Sequence, residues 1–303
     1  MQTSMRIIML TVLAAVLFGS GCSTVTQFGT AVGEATGTIT AEQAKSINRT
    51  AVAMEKTFQD ITPEQEYYIG RSVAATVLYK YPPNNMESAN QYLNVVGQIL
   101  AEASDRPETF GGYHFQILDT DEINAFSAPG GLIMVSKGML RCCRSEDALA
   151  AVLAHEIGHV QGQHGLRAIK KGRLTSALTV LATESAKSFG GQQLSQLTEA
   201  FEGSINDITG TMMNSGYARS LEREADEAAV KIMQRTGYDP NALVDMLQQM
   251  KTHLKPGGHD FAKTHPDPDD RIADVRRMIG ASARPLTIVP AREKRFERAL
   301  GSL

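Results

Sequence analysis

The stretch from residue 145 to residue 160 has the sequence SEDALAAVLAHEIGHV, and it decides how the rest of the chain is interpreted. It begins with a serine and two acidic residues, which is typical of a helix N-terminus. The alanines, leucines and valines that follow predict a buried helix reaching about residue 170. His155 and His159 are four positions apart on that helix and therefore share one face.

Two imidazoles on one helix face can bind a single zinc ion at about 2.0–2.1 Å. Glu156, next to the first histidine, can reach a metal-bound water without binding the metal itself. The alternative is a surface helix that happens to carry two histidines. The apolar flanks argue against it, because they bury the helix, and buried charged groups must be paired or metal-bound. We therefore expect His155 and His159 to be ligands and Glu156 to be the general base.

A catalytic zinc site needs a third protein ligand and one open position. His164 is one residue away from where the metzincin motif places its third histidine, so we interpret it as polar packing or as a partner of a ligand. Glu222 and Asp226, further along, share a helical face. One of these carboxylates could bind the ion while the other orients a histidine by accepting its free N–H. The alternative is a solvated, charged helix.

The first residues of the chain predict export and lipidation. The apolar run at 7–18 is too short to span a bilayer and is typical of a signal peptide. Cys22 follows a small residue, as in a bacterial lipobox, although Gly19 stands where lipoboxes usually carry leucine. We expect residues 1–21 to be a lipoprotein signal peptide and Cys22 to be acylated, with Ser23 favouring an outer-membrane anchor facing the periplasm. Cleavage without lipidation is the alternative.

The whole chain has 303 residues, 42% hydrophobic content and a net charge of −3, which is ordinary for a globular protein and does not favour nucleic-acid binding. We expect a flexible tether over 22–60 and a catalytic domain over 61–285. Within that domain, 172–216 is interpreted as a mobile helical insertion. Residues 286–303 are interpreted as a basic C-terminal tail without an assigned role.

Periodicity within the expected domain predicts a mainly α protein with a small β-sheet, an α+β fold. Strands are expected at 113–118 and 132–135. Helices are expected at 62–81, 86–103, 145–170, 219–236, 240–251 and 268–279. Cys142 and Cys143 are adjacent and fit no zinc spacing, so we interpret them as partly buried thiols.

Four motifs together carry a family resemblance over about residues 124–271. They are Asn124-Ala125-Phe126 with Pro129-Gly130-Gly131; His155-Glu156-Ile157-Gly158-His159 with His164-Gly165; Glu222-Arg223-Glu224-Ala225-Asp226; and Thr264-His265-Pro266 with Arg271. In these motifs the chain resembles the zinc metallopeptidase family that includes the heat-shock protease HtpX, the CaaX prenyl endopeptidase and the periplasmic protease BepA.

The resemblance implies a zincin-like fold with an active-site helix and an edge strand, and one Zn²⁺ per chain. It selects Glu222 as the third ligand and leaves Asp226 to orient a histidine. It also places His265 and Arg271 in the cleft as candidate catalytic groups that help to stabilise the oxyanion, with Arg271 available to a substrate carbonyl or carboxylate. His265 could instead occupy the open zinc position and hold the enzyme latent, or simply cap the last helix. The expected substrate-binding strand is Leu132, Ile133, Met134 and Val135, which would hold the substrate as an added strand.

The function implied is an endopeptidase that cleaves unfolded or misassembled envelope proteins. Three alternatives remain open at this point. They are a zinc-dependent binding or chaperone protein, a structural lipoprotein with an incidental metal site, and a zinc hydrolase of non-peptide substrates. A complete set of ligands with an adjacent base favours catalysis over all three.

Overall fold

The computed structural model describes residues 61–169, 191–253, 264–265, 268–280 and 289–301. The expected signal peptide, Cys22, the tether and the first part of the expected insertion lie outside the described residues. Among the helices that are described, none combines the length and apolar character needed to cross a membrane.

The described part of the chain is mainly helical with one small sheet, which confirms the predicted fold class. The helices are α1 (Pro63–Lys80), α2 (Glu87–Glu102), α3 (Lys137–Cys142), α4 (Glu146–Gln161), α5 (His164–Arg167), α6 (Gly191–Gly210), α7 (Arg219–Thr236), α8 (Asn241–His253), α9 (Pro268–Ile279) and α10 (Pro290–Leu300). The strands are β1 (His114–Leu118), β2 (Ala125–Ala128) and β3 (Leu132–Ser136). A π-helical turn, Thr211–Ser215, follows α6.

Capping side chains fix where the main helices begin. At α1, the Thr62 hydroxyl accepts a hydrogen bond from Gln65 N at 3.2 Å, and the Gln65 side chain accepts one from Thr62 N at 2.9 Å. At α4, the Ser145 hydroxyl accepts from Ala148 N at 3.1 Å. Both starts were predicted from these residue types.

The end of α4 differs from the prediction. The helix stops at Gln161, not near residue 170, because Gln163 adopts a left-handed conformation with φ of 51°. A residue in the left-handed conformation cannot continue a right-handed helix, so the chain changes direction there. The short helix α5 then begins at His164, and this reversal matters for the site described below.

The sheet corrects the predicted substrate strand. Its order is β1-β3-β2, with β3 parallel to β1 and antiparallel to β2. Leu132–Val135 therefore lies in the central strand, and its prediction as an edge strand is wrong because both of its sides are already paired. The sequence did not predict β2, since its alanines and serine have low β propensity. β2 is the edge strand that packs against α4.

The hydrophobic core is built around α4. Every residue from Ala148 to Val160 is buried, as expected for a helix that is apolar on all sides. α7 crosses α4 closely at Gly158, where a Cβ atom would lie only 2.7 Å from the carbonyl oxygen of Ala225. The missing side chain of this glycine therefore allows the acidic residues of α7 to reach the histidines of α4.

The expected basic tail is largely a docked helix. In α10, Arg292 Nη1 donates to Asp147 Oδ1 at 3.1 Å, and Arg295 donates two hydrogen bonds to the carboxylate of Glu146. Glu146 is only 1% exposed. The interpretation of residues 286–303 as a tail is thus corrected for Pro290–Leu300, which form a helix packed on the domain. The physical reason is that the buried carboxylate at the start of α4 requires partners, and the arginines of α10 supply them. In the described part of the expected insertion, α6 packs against α1.

Candidate metal centre

Four buried side chains from three regions of the chain converge at one point. His155 and His159 come from α4, Glu222 from the first turn of α7, and His265 from the short segment before α9. One potential ligand atom from each lies within 4.8 Å of the others. The structure thus brings together the three side chains expected as ligands and adds His265 to them.

The ring nitrogens of this cluster face the Glu222 carboxylate. The Nε2 atoms of His155 and His159 are 3.1 Å apart, and each is 3.5 Å from an oxygen of Glu222. His265 Nδ1 lies 3.0 Å from both oxygens of the same carboxylate. Imidazole nitrogens together with one carboxylate are the donor set found in catalytic zinc sites.

Asp226 fixes the orientation of His155 from behind. Its Oδ1 atom is 2.9 Å from His155 Nδ1, so this nitrogen carries the proton and Nε2 is left with its lone pair toward the cluster. Arg271 in turn donates to both oxygens of Asp226, at 2.7 and 2.9 Å. Its Nη1 is also 3.2 Å from Glu222 Oε2. Arg271, expected in the cleft, is therefore held between the two carboxylates and is only 5% exposed.

Glu156 is also buried, but its carboxylate is left without hydrogen bonds. It is 1% exposed, and neither oxygen has a hydrogen-bond partner among the described residues. One ring nitrogen, His265 Nε2, lies 3.9 Å from its Oε1 atom. A buried carboxylate in this state is costly unless an ion, water or substrate group completes its surroundings. This orphaned group beside the donor set fits a bound metal ion.

The electrostatics of the cluster favour a positive charge at its centre. Burial and the charge of Arg271 lower the pKa of His155, but hydrogen bonds to Asp226 and Glu222 outweigh them and raise it to about 9. Burial holds the pKa of His159 well below its usual value. Burial opposes ionisation of Glu222, yet the charges of His265 and Arg271 bring its pKa well below the usual value. A metal ion would bind His155 through its neutral ring, so it would replace any proton that the two carboxylates favour on Nε2.

Tyr217 completes the cluster and was missed by sequence reasoning. Its ring stacks on His159, with centroids 4.4 Å apart and planes 24° apart. Burial, followed by the charges of Glu156 and Glu222, raises its pKa above the usual range. Its backbone N–H donates to Thr264 O at 3.3 Å, which holds the segment carrying His265 against the site. No spacing in the sequence relates Tyr217 to His159, so only the fold reveals this contact.

The cluster is closed in this conformation. None of its four residues is more than 3% exposed. A cavity of about 610 Å³ does open between α1 and the β1–β3 face of the sheet, with Leu132 and Met134 in its lining. None of the four cluster residues lines that cavity. The predicted strand Leu132–Val135 thus borders a different space from the one that holds the candidate ligands.

Comparisons with known proteins agree with this chemistry. The family model described as peptidase family M48 matches residues 87–279. The beta-barrel assembly-enhancing protease of Yersinia pestis is 30% identical over 221 residues, covering 70% of this chain and 42% of that protein. The putative beta-barrel assembly-enhancing protease of Vibrio cholerae is 30% identical over 249 residues, covering 79% and 49%. The mitochondrial metalloendopeptidase OMA1 of Schizosaccharomyces pombe is 34% identical over 233 residues, covering 75% and 65%. The chain spans less than half the length of the two bacterial relatives.

Proposed function

The chain belongs to the metallopeptidases of family M48, and on that premise we propose that it is a zinc-dependent endopeptidase of the bacterial cell envelope. His155, His159 and Glu222 are the proposed ligands, and Glu156 is the proposed general base. The observation that carries this proposal is the unpaired, buried carboxylate of Glu156 beside a cluster of donor atoms within 4.8 Å of one another. The match to the family model over residues 87–279 confirms the resemblance that the four motifs predicted.

The proposed chemistry divides the work among a few side chains. When bound, a zinc ion supplies Lewis acidity that activates a water molecule and polarises the scissile carbonyl. Glu156 accepts the proton of the attacking water and passes it to the leaving amine. Asp226 keeps the Nδ1 proton of His155 in place, and Arg271 offsets the charge of the two carboxylates that it contacts.

His265 is proposed to hold the closed state. Its Nδ1 atom lies 3.3 Å from His155 Nε2 as well as 3.0 Å from Glu222, so it can reach the same centre as the three proposed ligands and fill the position left open for water and substrate. With all four side chains buried, a polypeptide cannot approach Glu156 in this conformation. Cleavage would therefore require His265 to leave this position.

The Glu156→Gln substitution tests the proposed function. Glutamine has the shape of the original side chain but cannot take the proton, so we expect cleavage to fall by about 10²–10⁴-fold while zinc content is unchanged. The measurement is cleavage of an unfolded protein by the zinc-loaded full chain, with and without a chelator.

A matched control is Glu227→Gln, which removes an exposed glutamate of α7 that pairs with Lys231 at 2.8 Å. It should cleave like the unsubstituted chain. Undiminished cleavage by the Glu156→Gln variant at full zinc occupancy would refute the base assignment and favour a zinc-dependent binding protein. An uncut panel of unfolded proteins under zinc saturation would instead favour a hydrolase of other substrates.

The substrates and location are proposed from the relatives and from the N-terminal sequence. Two bacterial relatives are named beta-barrel assembly-enhancing proteases, and we infer that this chain acts on unfolded or misassembled envelope proteins. The small residue before Cys22 supports acylation, and Ser23 after it supports an outer-membrane anchor facing the periplasm.

A further inference from the structure

A buried histidine that is not among the proposed ligands, His164, lies directly behind His159. His164 is fully buried, and its ring meets that of His159 edge to face, with centroids 4.8 Å apart. Two backbone features put it there. Gln163 is left-handed, and a Cβ atom at Gly162 would lie 2.2 Å from His164 Nε2. The chain thus reverses after α4 in a way that folds the ring of His164 back beneath His159.

The hydrogen bonds of His164 form a chain that ends at a carboxylate. Its Nδ1 atom is 2.8 Å from His159 Nδ1, and its Nε2 atom is 3.2 Å from Glu224 Oε2. Glu224 is held in turn by Arg167, whose Nη1 donates to the same oxygen at 2.6 Å. Glu224 comes from α7, two residues beyond the proposed ligand Glu222.

These contacts allow one consistent placement of protons on neutral rings. An ionised carboxylate only accepts, so His164 must donate to Glu224 through Nε2–H. A neutral imidazole has one donor and one acceptor, so His164 Nδ1 then accepts from His159 Nδ1–H. That leaves the Nε2 lone pair of His159 directed at the cluster, where this atom lies 3.1 Å from its counterpart on His155.

We propose that Glu224 and His164 act as positioning residues that fix the tautomer and ring orientation of His159. Asp226 does the same for His155 directly, at 2.9 Å, whereas Glu224 acts through an intervening imidazole. The two acidic residues that flank Ala225 in α7 thus each serve one histidine of α4. This inference rests on the proposed function, because it takes His159 to be a ligand.

The test is the zinc dissociation constant of the full-length chain, measured by competition with a chromophoric chelator. His164→Phe keeps a ring but removes the acceptor, and we expect it to weaken zinc binding by about 10–100-fold. His164→Asn offers an amide oxygen near the position of Nδ1, and we expect it to recover most of the lost affinity. Packing alone does not predict that recovery.

A second variant keeps the test decisive if the phenylalanine variant folds poorly. Glu224→Ala removes a side chain that is 44% exposed, and we expect a loss of affinity in the same direction because His164 loses its acceptor. The matched control on α7 is Glu227→Gln, which should bind zinc like the unsubstituted chain. Circular dichroism establishes that each variant is folded.

The outcomes separate this inference from the proposed function. His159→Ala should weaken zinc binding more than any of these variants. If His159→Ala binds zinc normally, the proposed metal centre itself fails. If His159→Ala weakens binding but Glu224→Ala and His164→Phe do not, only the positioning role is overturned. The positioning role is likewise overturned if the asparagine variant binds zinc no better than the phenylalanine variant.

Discussion

Glu156 and Glu222 are both buried at the candidate metal centre, but their carboxylates have different surroundings. His155, His265 and Arg271 all face the carboxylate of Glu222, which accounts for its lowered pKa and suits a ligand that stays ionised. Neither oxygen of Glu156 has a hydrogen-bond partner among the described residues. A carboxylate without partners is available to take a proton from water, which is the role proposed for it.

Replacing His265 with alanine tests the closed state at the residue scale. If His265 blocks the substrate side of the cluster, its removal should raise cleavage of an unfolded protein several-fold, even if zinc is held less tightly. The measurement is the initial rate of cleavage at saturating zinc. His114→Ala is a suitable control, because that histidine lies in β1 and is exposed. A lower rate for the His265→Ala variant, with zinc still bound, would instead make His265 a catalytic group.

Spacing explains which site residues could be foreseen. His155 and His159 are one helical turn apart, and Glu222 and Asp226 repeat that spacing, so helical periodicity alone relates each pair. The contacts of Tyr217, Glu224 and His265 join segments distant in sequence, and no periodicity links them to His159. The ring of His164 was interpreted as a partner of a ligand or as packing, and its bond to His159 depends on the reversal at Gln163.

At the scale of elements, the N-terminus of α4 depends on the helix at the end of the described chain. Glu146 accepts hydrogen bonds from Tyr92 and Tyr238, at 2.8 and 2.9 Å, as well as from Arg295. Burial raises its pKa, but hydrogen bonds from Arg295 and the two tyrosines outweigh that effect and lower it. α10 is thereby tied to the helix that carries both proposed histidine ligands.

Glu146→Gln should lower the free energy of unfolding by about 1–3 kcal/mol at neutral pH, because buried donors lose a charged acceptor. A pKa lowered by folding contributes stability above the unfolded value of about 4.3, and that contribution is lost as pH falls below it. The difference between the two proteins should therefore be complete above about pH 4.3 and shrink as pH falls from there through the lowered pKa of the folded state. Chemical denaturation at a series of pH values measures it.

The control for this prediction is Glu64→Gln. Glu64 also lies in the first turn of a helix, α1, but it is exposed, so its loss reports only the helix-dipole effect of about 0.3–1 kcal/mol. A Glu146→Gln variant that is no less stable than this control would contradict the importance of the α10 contact.

Elements with strong local signals were predicted correctly. Capping residues and apolar periodicity gave the starts of α1 and α4 and the strands β1 and β3. β2 was missed because its sequence, AFSA, has no local β signal and is a strand only through pairing with β3. The extent of α10 was missed for a related reason, since its charged residues become ordered against the buried Glu146 of another element.

At the scale of the whole molecule, the proposed anchor lies outside the described residues and depends on sequence alone. Cys22→Ser should abolish acylation and move the protein from the membrane fraction to the soluble periplasmic fraction, because one sulfur atom carries the lipid. Fractionation of cells expressing each form measures this. Cys142→Ser is the control, since that buried cysteine should not affect location. Unchanged membrane association of the Cys22→Ser variant would rule out the lipid anchor.

The central claim concerns three side chains around one metal ion, and an anomalous difference map at the zinc absorption edge tests it most directly. For crystals of the zinc-loaded protein, we expect one strong peak between His155 Nε2, His159 Nε2 and the carboxylate of Glu222. A peak elsewhere, or a Glu222 carboxylate turned away from both imidazoles with no other group in its place, would contradict the proposed hydrolase.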